Sequence, residues 1–372
     1  MQSKKLVEFS AAGAGKTYNI CKEAIGFVDD SKSKSLIITY TNKGKDAVEK
    51  EFKNQNHGTL SNCVDIKTWY DFLLSELIKP YQNFFLKTNE IKGIDFDKLY
   101  SFVNKEPNNS RRRYIESNGN LYPNEISKLA ILLNDRSGGL VFKRLVEIYD
   151  AIFFDEIQDL AGYDLDLIEL IMKTSIYVKC VGDYKQATYK TNNSQRNRTI
   201  SGKRCIDYFL SLEKKKICEI SFNMVSRRCN SFICEFANRL YPTEEKMVYF
   251  ENITTGHDGV FGVLEKDVHC YCELFKPQML VYDKKSNNYG YPALNYGICK
   301  GLTFERLIIV PNGPFLNYLN KGARLSNPEK YYVAVTRAKY SIAFVFPKQP
   351  SSFKESIDYD FDGHQMTLYR LF

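Results

Sequence analysis

An apolar run, Leu6–Phe9, leads straight into Ser10-Ala-Ala-Gly-Ala-Gly-Lys-Thr17, and an amphipathic pattern follows over Thr17–Phe27. A strand, a loop of small residues, Gly-Lys-Thr and a helix in immediate succession leave few folds open. Such a loop, closed by a helix N-terminus, turns consecutive backbone N–H groups toward one point, an arrangement that suits phosphate oxygens. Gly13 and Gly15, with Ala14 between them, let the backbone approach an anion closely. Lys16 is placed to neutralise β- and γ-phosphates, and the Thr17 hydroxyl to join the shell of a Mg²⁺ ion. Ser10 stands where the general pattern has its first glycine. A Gly-Lys-Thr triplet can also arise by chance at a helix start, but the flanking strand and helix argue against that here.

The rest of the chain keeps the same alternation. Strand-like runs at Leu36–Thr41, Val64–Thr68, Ala151–Asp155, Tyr177–Gly182, Ile217–Phe222, Met279–Tyr282, Leu307–Val310 and Ile342–Phe346 are separated by helical patterns at Lys45–Phe52, Tyr70–Lys79, Leu165–Met172 and Ser231–Leu240. Several strands are unbroken Ile/Val/Phe runs, as expected where both faces are buried. The fold class is therefore α/β with parallel sheets. At 372 residues the chain has room for two domains. Pro80–Leu145 breaks the alternation and reads as a helical insertion.

Composition narrows the class further. Apolar residues at 44% and charged residues at 26% exclude global disorder. No apolar run reaches the length of a membrane span, and the start MQSKKLVEF lacks the apolar core of a secretory signal. The ten cysteines have no zinc-site spacing and read as reduced thiols, so the expected location is cytoplasmic, with no membrane partner. A net charge of +8 permits a nucleic-acid partner without requiring one. Six basic residues and no acid lie between Tyr184 and Arg204, among them Arg196 and Arg198. That stretch reads either as a solvated loop or as a phosphate-binding one.

A phosphate loop needs a carboxylate for the metal and a group to orient water. Ala151-Ile-Phe-Phe-Asp-Glu156 offers both at the end of an apolar strand. Asp155 is the candidate metal ligand and Glu156 the candidate general base; two exposed acids capping a strand would look the same in isolation.

The remaining motifs resemble those of UvrD/Rep-type superfamily 1 DNA helicases. Asp155-Glu156-Ile157-Gln158-Asp159 resembles DExQD, Thr39-Tyr-Thr-Asn-Lys43 resembles TFTNK, and Thr68-Trp-Tyr-Asp-Phe72 resembles TFHSF. Val181-Gly-Asp-Tyr-Lys-Gln186, followed by Tyr189, resembles VGDxxQSIY. Ser226-Arg-Arg-Cys229 resembles the NYRS segment, Lys300-Gly-Leu-Thr-Phe304 resembles KGLEF, and Tyr332-Val-Ala-Val-Thr-Arg-Ala-Lys339 matches YVAVTRAK. The segments stand in the family's order. The resemblance implies two RecA-like lobes with ATP and Mg²⁺ bound between them. Residues 1–79 and 146–212 would form the first lobe, 80–145 its helical insertion, and 213–372 the second lobe. It also implies that Gln186 orients the attacking water, that Arg228 and Arg337 place positive charge on the transferred phosphoryl group, and that Arg227 stacks on the base. A single-stranded DNA or RNA track is implied along Tyr40, Thr41, Asn42, Lys43, Thr68, Trp69 and Tyr189, with Arg196 and Arg198 on the adjoining basic loop. Any one of these aromatics could equally be core.

Departures from the family are expected to matter. Arg227 replaces an adenine-stacking tyrosine, Thr303 replaces a glutamate, and the loop begins at Ser10, where an upstream adenine-reading glutamine segment is not expected. The insertions are small, so unwinding by the chain alone is expected to be weak. No fused nuclease motif is visible. The function expected is an ATP-hydrolysing, single-strand-dependent motor working with a partner such as a nuclease in DNA repair or phage defence. The alternative is a nucleic-acid-sensing ATPase switch that controls a separate effector without translocating.

Overall fold

The computed structural model describes residues 4–28, 33–87, 91–97, 105–188, 192, 196–197, 199–200, 204–350 and 355–371. The chain divides into two compact units. One comprises Met1–Phe9 and Lys16–Phe222, the other Ser10–Gly15 and Asn223–Phe372.

The first unit is built on six strands: β1 (Lys5–Ser10), β2 (Ser35–Thr39), β3 (Val64–Thr68), β4 (Ala151–Phe154), β5 (Tyr177–Gly182) and β6 (Glu219–Asn223). Their spatial order is β3-β2-β4-β5-β1-β6. The pairs β3–β2, β2–β4, β4–β5 and β5–β1 are parallel. β2 and β4 are buried at every position, which is why they read as unbroken apolar runs. Helix Lys16–Val28 buries Ile20, Cys21 and Ala24, and helix Asn42–Gln55 buries Val48 and Phe52. These side chains join Ile37, Phe153 and Val181 in one core on one face of the sheet.

The register levels the strand ends. Phe9 pairs with Gly182, Cys180 with Phe154, Phe154 with Ile38, and Thr39 with Thr68. Whatever follows β1, β2, β3, β4 and β5 therefore emerges at one edge, the carboxyl edge where open α/β sheets bind ligands.

The inserted region gathers its helices at Ile126–Arg136 and Leu140–Ile148. Its earlier part carries a two-residue parallel pair, Gly93–Ile94 with Asn120–Leu121. The pattern read as one helix over Tyr70–Lys79 is instead an α turn at Trp69–Phe72, a π-helix at Leu73–Ile78 and a 3₁₀ segment at Lys79–Phe84.

Among the described residues the main sheet of the second unit has seven strands: β7 (Gly259–Leu264), β8 (Gln278–Val281), β9 (Ala293–Asn295), β10 (Phe304–Val310), β11 (Ala338–Phe346), β12 (Glu355–Phe361) and β13 (His364–Arg370), in the order β9-β8-β10-β11-β7-β13-β12. The first five are parallel, and the hairpin β12–β13 adds an antiparallel edge. Alternation within the apolar runs serves both faces. Leu307, Ile309, Ile342 and Phe344 pack with helices Ser231–Leu240, Gly313–Lys321 and Pro328–Val335, while Ile308, Ala343 and Val345 pack with helix Val268–Phe275. All ten cysteines are free thiols, and among the described residues no helix is long and apolar enough to cross a membrane.

Candidate functional site

In the first unit the candidate residues converge at the carboxyl edge. Lys16 and Thr17 open the helix after the loop, and Asp155 follows β4, its N–H donating to Ile38 O at 2.8 Å. The Thr17 hydroxyl donates to Asp155 Oδ2 at 3.2 Å, so residues 138 positions apart meet as a pair of hard oxygen donors. One carboxylate and one hydroxyl form a set that suits Mg²⁺, which keeps several waters and takes its remaining ligands from substrate phosphates. The Asp155 acid is pushed up to about 6 by burial and then by the Glu156 carboxylate, against the pull of Lys16 and the hydrogen bonds from Glu156 N–H and Thr17. A carboxylate in that setting gains from an added cation.

Glu156 holds a left-handed backbone, φ 59° and ψ 39°. A non-glycine residue there is strained, and such strain gathers at functional positions. Gln158, from the same motif, donates from Nε2 to Glu156 Oε2 and accepts from Asp183 N–H at 3.0 Å. Asp183 is buried, caps the turn Tyr184–Gln186, and accepts from Gln186 Nε2 at 2.8 Å. Burial raises the Asp183 acid above the usual carboxylate range, with Lys16 the largest opposing influence. A continuous chain thus runs from Glu156 through Gln158 and Asp183 to Gln186. The sequence reading missed Gln158 and Asp183, although both sit inside motifs already singled out.

Gly182 permits this chain. A Cβ at Gly182 would lie 2.5 Å from Gln158 Oε1, 2.7 Å from Ile157 Cγ1 and 3.3 Å from Gln158 N. Gly182→Ala is expected to cost about 1–3 kcal/mol, the usual scale of overpacking, and to lower nucleotide turnover by displacing Gln158. Urea unfolding and a turnover assay on the same preparation check this, and wild-type values in both would show that the strand end has slack.

The second unit holds the loop Ser10–Gly15 and the candidate arginines. Ala11 N donates to Asn223 O and Arg227 N to Gly13 O, both at 2.9 Å, and Ala11 and Ala12 enter this unit's core. Gly13 has φ +76°, and a Cβ there would stand 2.6 Å from Arg228 Cβ, so both backbone and space require glycine. Gly15, beyond the buried Ala14, also has positive φ. Arg228 donates to Thr336 O at 3.1 Å. The buried Arg337 donates to Val333 O at 2.9 Å and to Thr336 Oγ1 at 3.2 Å, so both arginines are anchored at Thr336. Arg227 lies over the Phe250 ring, 4.1 Å from its centroid, so one face of its guanidinium is already stacked.

The candidate nucleic-acid residues divide. Tyr40, Thr41, Asn42 and Thr68 line one cavity in the first unit, and Lys43 is exposed in the adjoining helical turn. Trp69 is a correction: it is buried against Phe72 and Phe154, at 5.9 and 6.2 Å between ring centroids, and offers no face to a base. Arg196 makes a two-pronged ion pair with Asp166, at 2.8 and 3.0 Å. Tyr189 and Arg198 lie outside the described residues.

A glycine-cradled loop, a Lys-Thr pair opening a helix and an Asp-Glu pair on a neighbouring strand end define a P-loop nucleotide-binding class of α/β protein. Comparison with known proteins narrows this. Residues 140–346 match the family model described as viral superfamily 1 RNA helicase core domain, and residues 45–201 match that of the UvrD/REP helicase N-terminal domain. The chain belongs to the superfamily 1 helicases, with a UvrD-like first part. Among solved structures it is similar to Arterivirus nonstructural protein 10 (helicase) in complex with DNA, at 14% identity, covering 93% of this chain and 61% of that one with a TM-score of 0.48. A second structure of the Arterivirus helicase gives 13% identity, 93% and 60% coverage and a TM-score of 0.45. The chain thus spans 60–61% of the length of these structures. No curated protein matches it.

Proposed function

We propose that the protein hydrolyses ATP and couples turnover to movement along single-stranded nucleic acid. The observation that carries the reading is the meeting of Thr17 with Asp155 beside the strained Glu156, at the strand edge from which the Lys16 helix starts. Lys16 binds the terminal phosphates, and Thr17 with Asp155 holds the metal. Bound Mg²⁺ supplies charge neutralisation on the phosphate oxygens. Glu156 accepts the proton of the attacking water, and Gln186 orients that water. Arg228 and Arg337 supply positive charge for the transferred phosphoryl group. With Arg227 stacked on Phe250 and no side chain assigned to the base edge, GTP is expected to be used within about tenfold of ATP.

The test is an ATPase titration against single strands of increasing length. A translocating motor shows turnover that climbs with length, because one binding event supports many cycles. Turnover that saturates once the site is covered favours a stationary sensor, and turnover indifferent to nucleic acid removes the coupling altogether.

A further inference from the structure

A cavity of about 420 Å³ opens at the carboxyl edge of the first unit's sheet, within the ~300–1,000 Å³ range of small-ligand pockets. Three of its walls are aromatic and come from three separate segments: Tyr40 after β2, Tyr70 after β3, and Phe96 from the inserted region. Tyr40 and Tyr70 have centroids 6.0 Å apart, and Tyr70 and Phe96 stand edge to face at 5.0 Å. Phe96 is 59% exposed, and none of the sequence motifs includes it. Its ring rests edge to face on Tyr70 and leaves most of its own surface open, so it adds little to this unit's core.

The polar lining is equally specific. Asn42 is the first residue of a helix whose cap is Thr41, so unpaired N–H groups of its opening turn lie beside the cavity, with the exposed Lys43 next in sequence. Asp71 also lines the cavity, and its Oδ2 accepts from Thr68 Oγ1 at 2.7 Å. Aromatic walls of base size next to a phosphate-suited turn are the two halves of a single-strand site. An ionised carboxylate only accepts hydrogen bonds. It attracts the amino group of cytosine and opposes the O4 acceptor of thymine.

We propose that this cavity takes one unstacked base of the bound strand, that Phe96 supplies its outer stacking face, and that Asp71 favours cytosine over thymine. The inference rests on the single-strand binding proposed above and assigns residues and a base preference to it. The inserted region then takes part in holding the strand.

Fluorescence anisotropy with labelled oligodeoxycytidine and oligodeoxythymidine of equal length tests this. Phe96→Ala is expected to weaken oligodeoxycytidine binding about 5- to 150-fold, the range for one lost base stack, and Phe96→Trp to restore it. Wild type is expected to prefer oligodeoxycytidine at least about 5-fold, the low end of base discrimination by a hydrogen-bonding side chain. Asp71→Asn, which can donate to O4, should erase that preference. If wild type binds both oligomers and Phe96→Ala binds as well as wild type, or if Asp71→Asn leaves a cytosine preference untouched, the base pocket falls and the single-strand reading stands. If wild type binds neither oligomer, both fall.

Discussion

Glu156→Gln is expected to retain nucleotide binding and lose at least ~100-fold in ATP turnover, the lower end of what a positioned general base contributes. The substitution isolates chemistry from structure. Glutamine has the same shape, its carbonyl oxygen can still accept from Gln158 Nε2, and the left-handed backbone at φ 59° costs it the same. What disappears is a basic oxygen able to take a proton from water. Lys16→Ala gives the contrasting signature, because it removes a phosphate-binding cation and weakens nucleotide affinity itself. Single-turnover hydrolysis together with fluorescent-nucleotide binding separates the two. Turnover of Glu156→Gln within about threefold of wild type would take the base role from Glu156 and leave Gln186, at the far end of the same chain, to act by orientation alone.

The parts of this fold legible in the sequence are those where local pattern and burial agree. β2 and β4 are buried on both faces, so nothing polar interrupts them. Gly259-Val-Phe-Gly-Val-Leu264 does not read as a strand, because glycine has low strand propensity, yet as β7 it is almost wholly buried between β11 and β13 of the second sheet. The hairpin β12–β13 has a local sequence signal: Glu355-Ser-Ile-Asp-Tyr-Asp-Phe361 alternates, and Asp362-Gly363, both at positive φ, makes the turn. The π-helix at Leu73–Ile78 left no such mark, since apolar residues three and four apart fit either winding.

The candidate site shows the same division. Lys16, Thr17, Asp155 and Glu156 were legible because each sits where a strand gives way to a turn or helix. The bond between Gln158 and Asp183 was not, because it joins two strand ends through a side chain, and only the parallel register sets those ends level. Trp69 shows the reverse failure. Its motif gave its position in the chain, while the direction of its ring depends on Phe154 from a distant strand. Phe96 belongs to no pattern, and only the meeting of Tyr40 with Tyr70 at the sheet edge gives its exposed ring a use.

Acid is expected to weaken the second unit through His257. This imidazole is 5% exposed, stacked on Phe275 at 3.6 Å and Phe261 at 4.6 Å, with Nε2 3.0 Å from Tyr271 Oη. Its pKa is lowered from 6.5 to about 4, by burial first and then by Arg306, with Asp258 opposing and Arg370 adding a smaller push downward. Tyr359 completes the aromatic surround. Because the folded pKa lies below the unfolded one, the unfolded chain binds the extra proton between about pH 6.5 and pH 4. The stability His257 contributes is therefore complete above pH 6.5 and is lost as pH falls through 4. The loss amounts to about 3 kcal/mol at 1.36 kcal/mol per pKa unit. Other acids titrate in the same window, so the informative quantity is a difference of differences. Unfolding free energies of wild type and His257→Phe are compared at pH 7 and pH 4, and the shared carboxylates cancel. Phenylalanine keeps the stack and gives up the Tyr271 hydrogen bond, which offsets the variant by a constant at both pH values. Wild type should lose about 3 kcal/mol more than the variant on acidification. Equal losses would mean that the imidazole reaches water and takes up its proton without unfolding, a result incompatible with a ring held between Phe275 and Phe261.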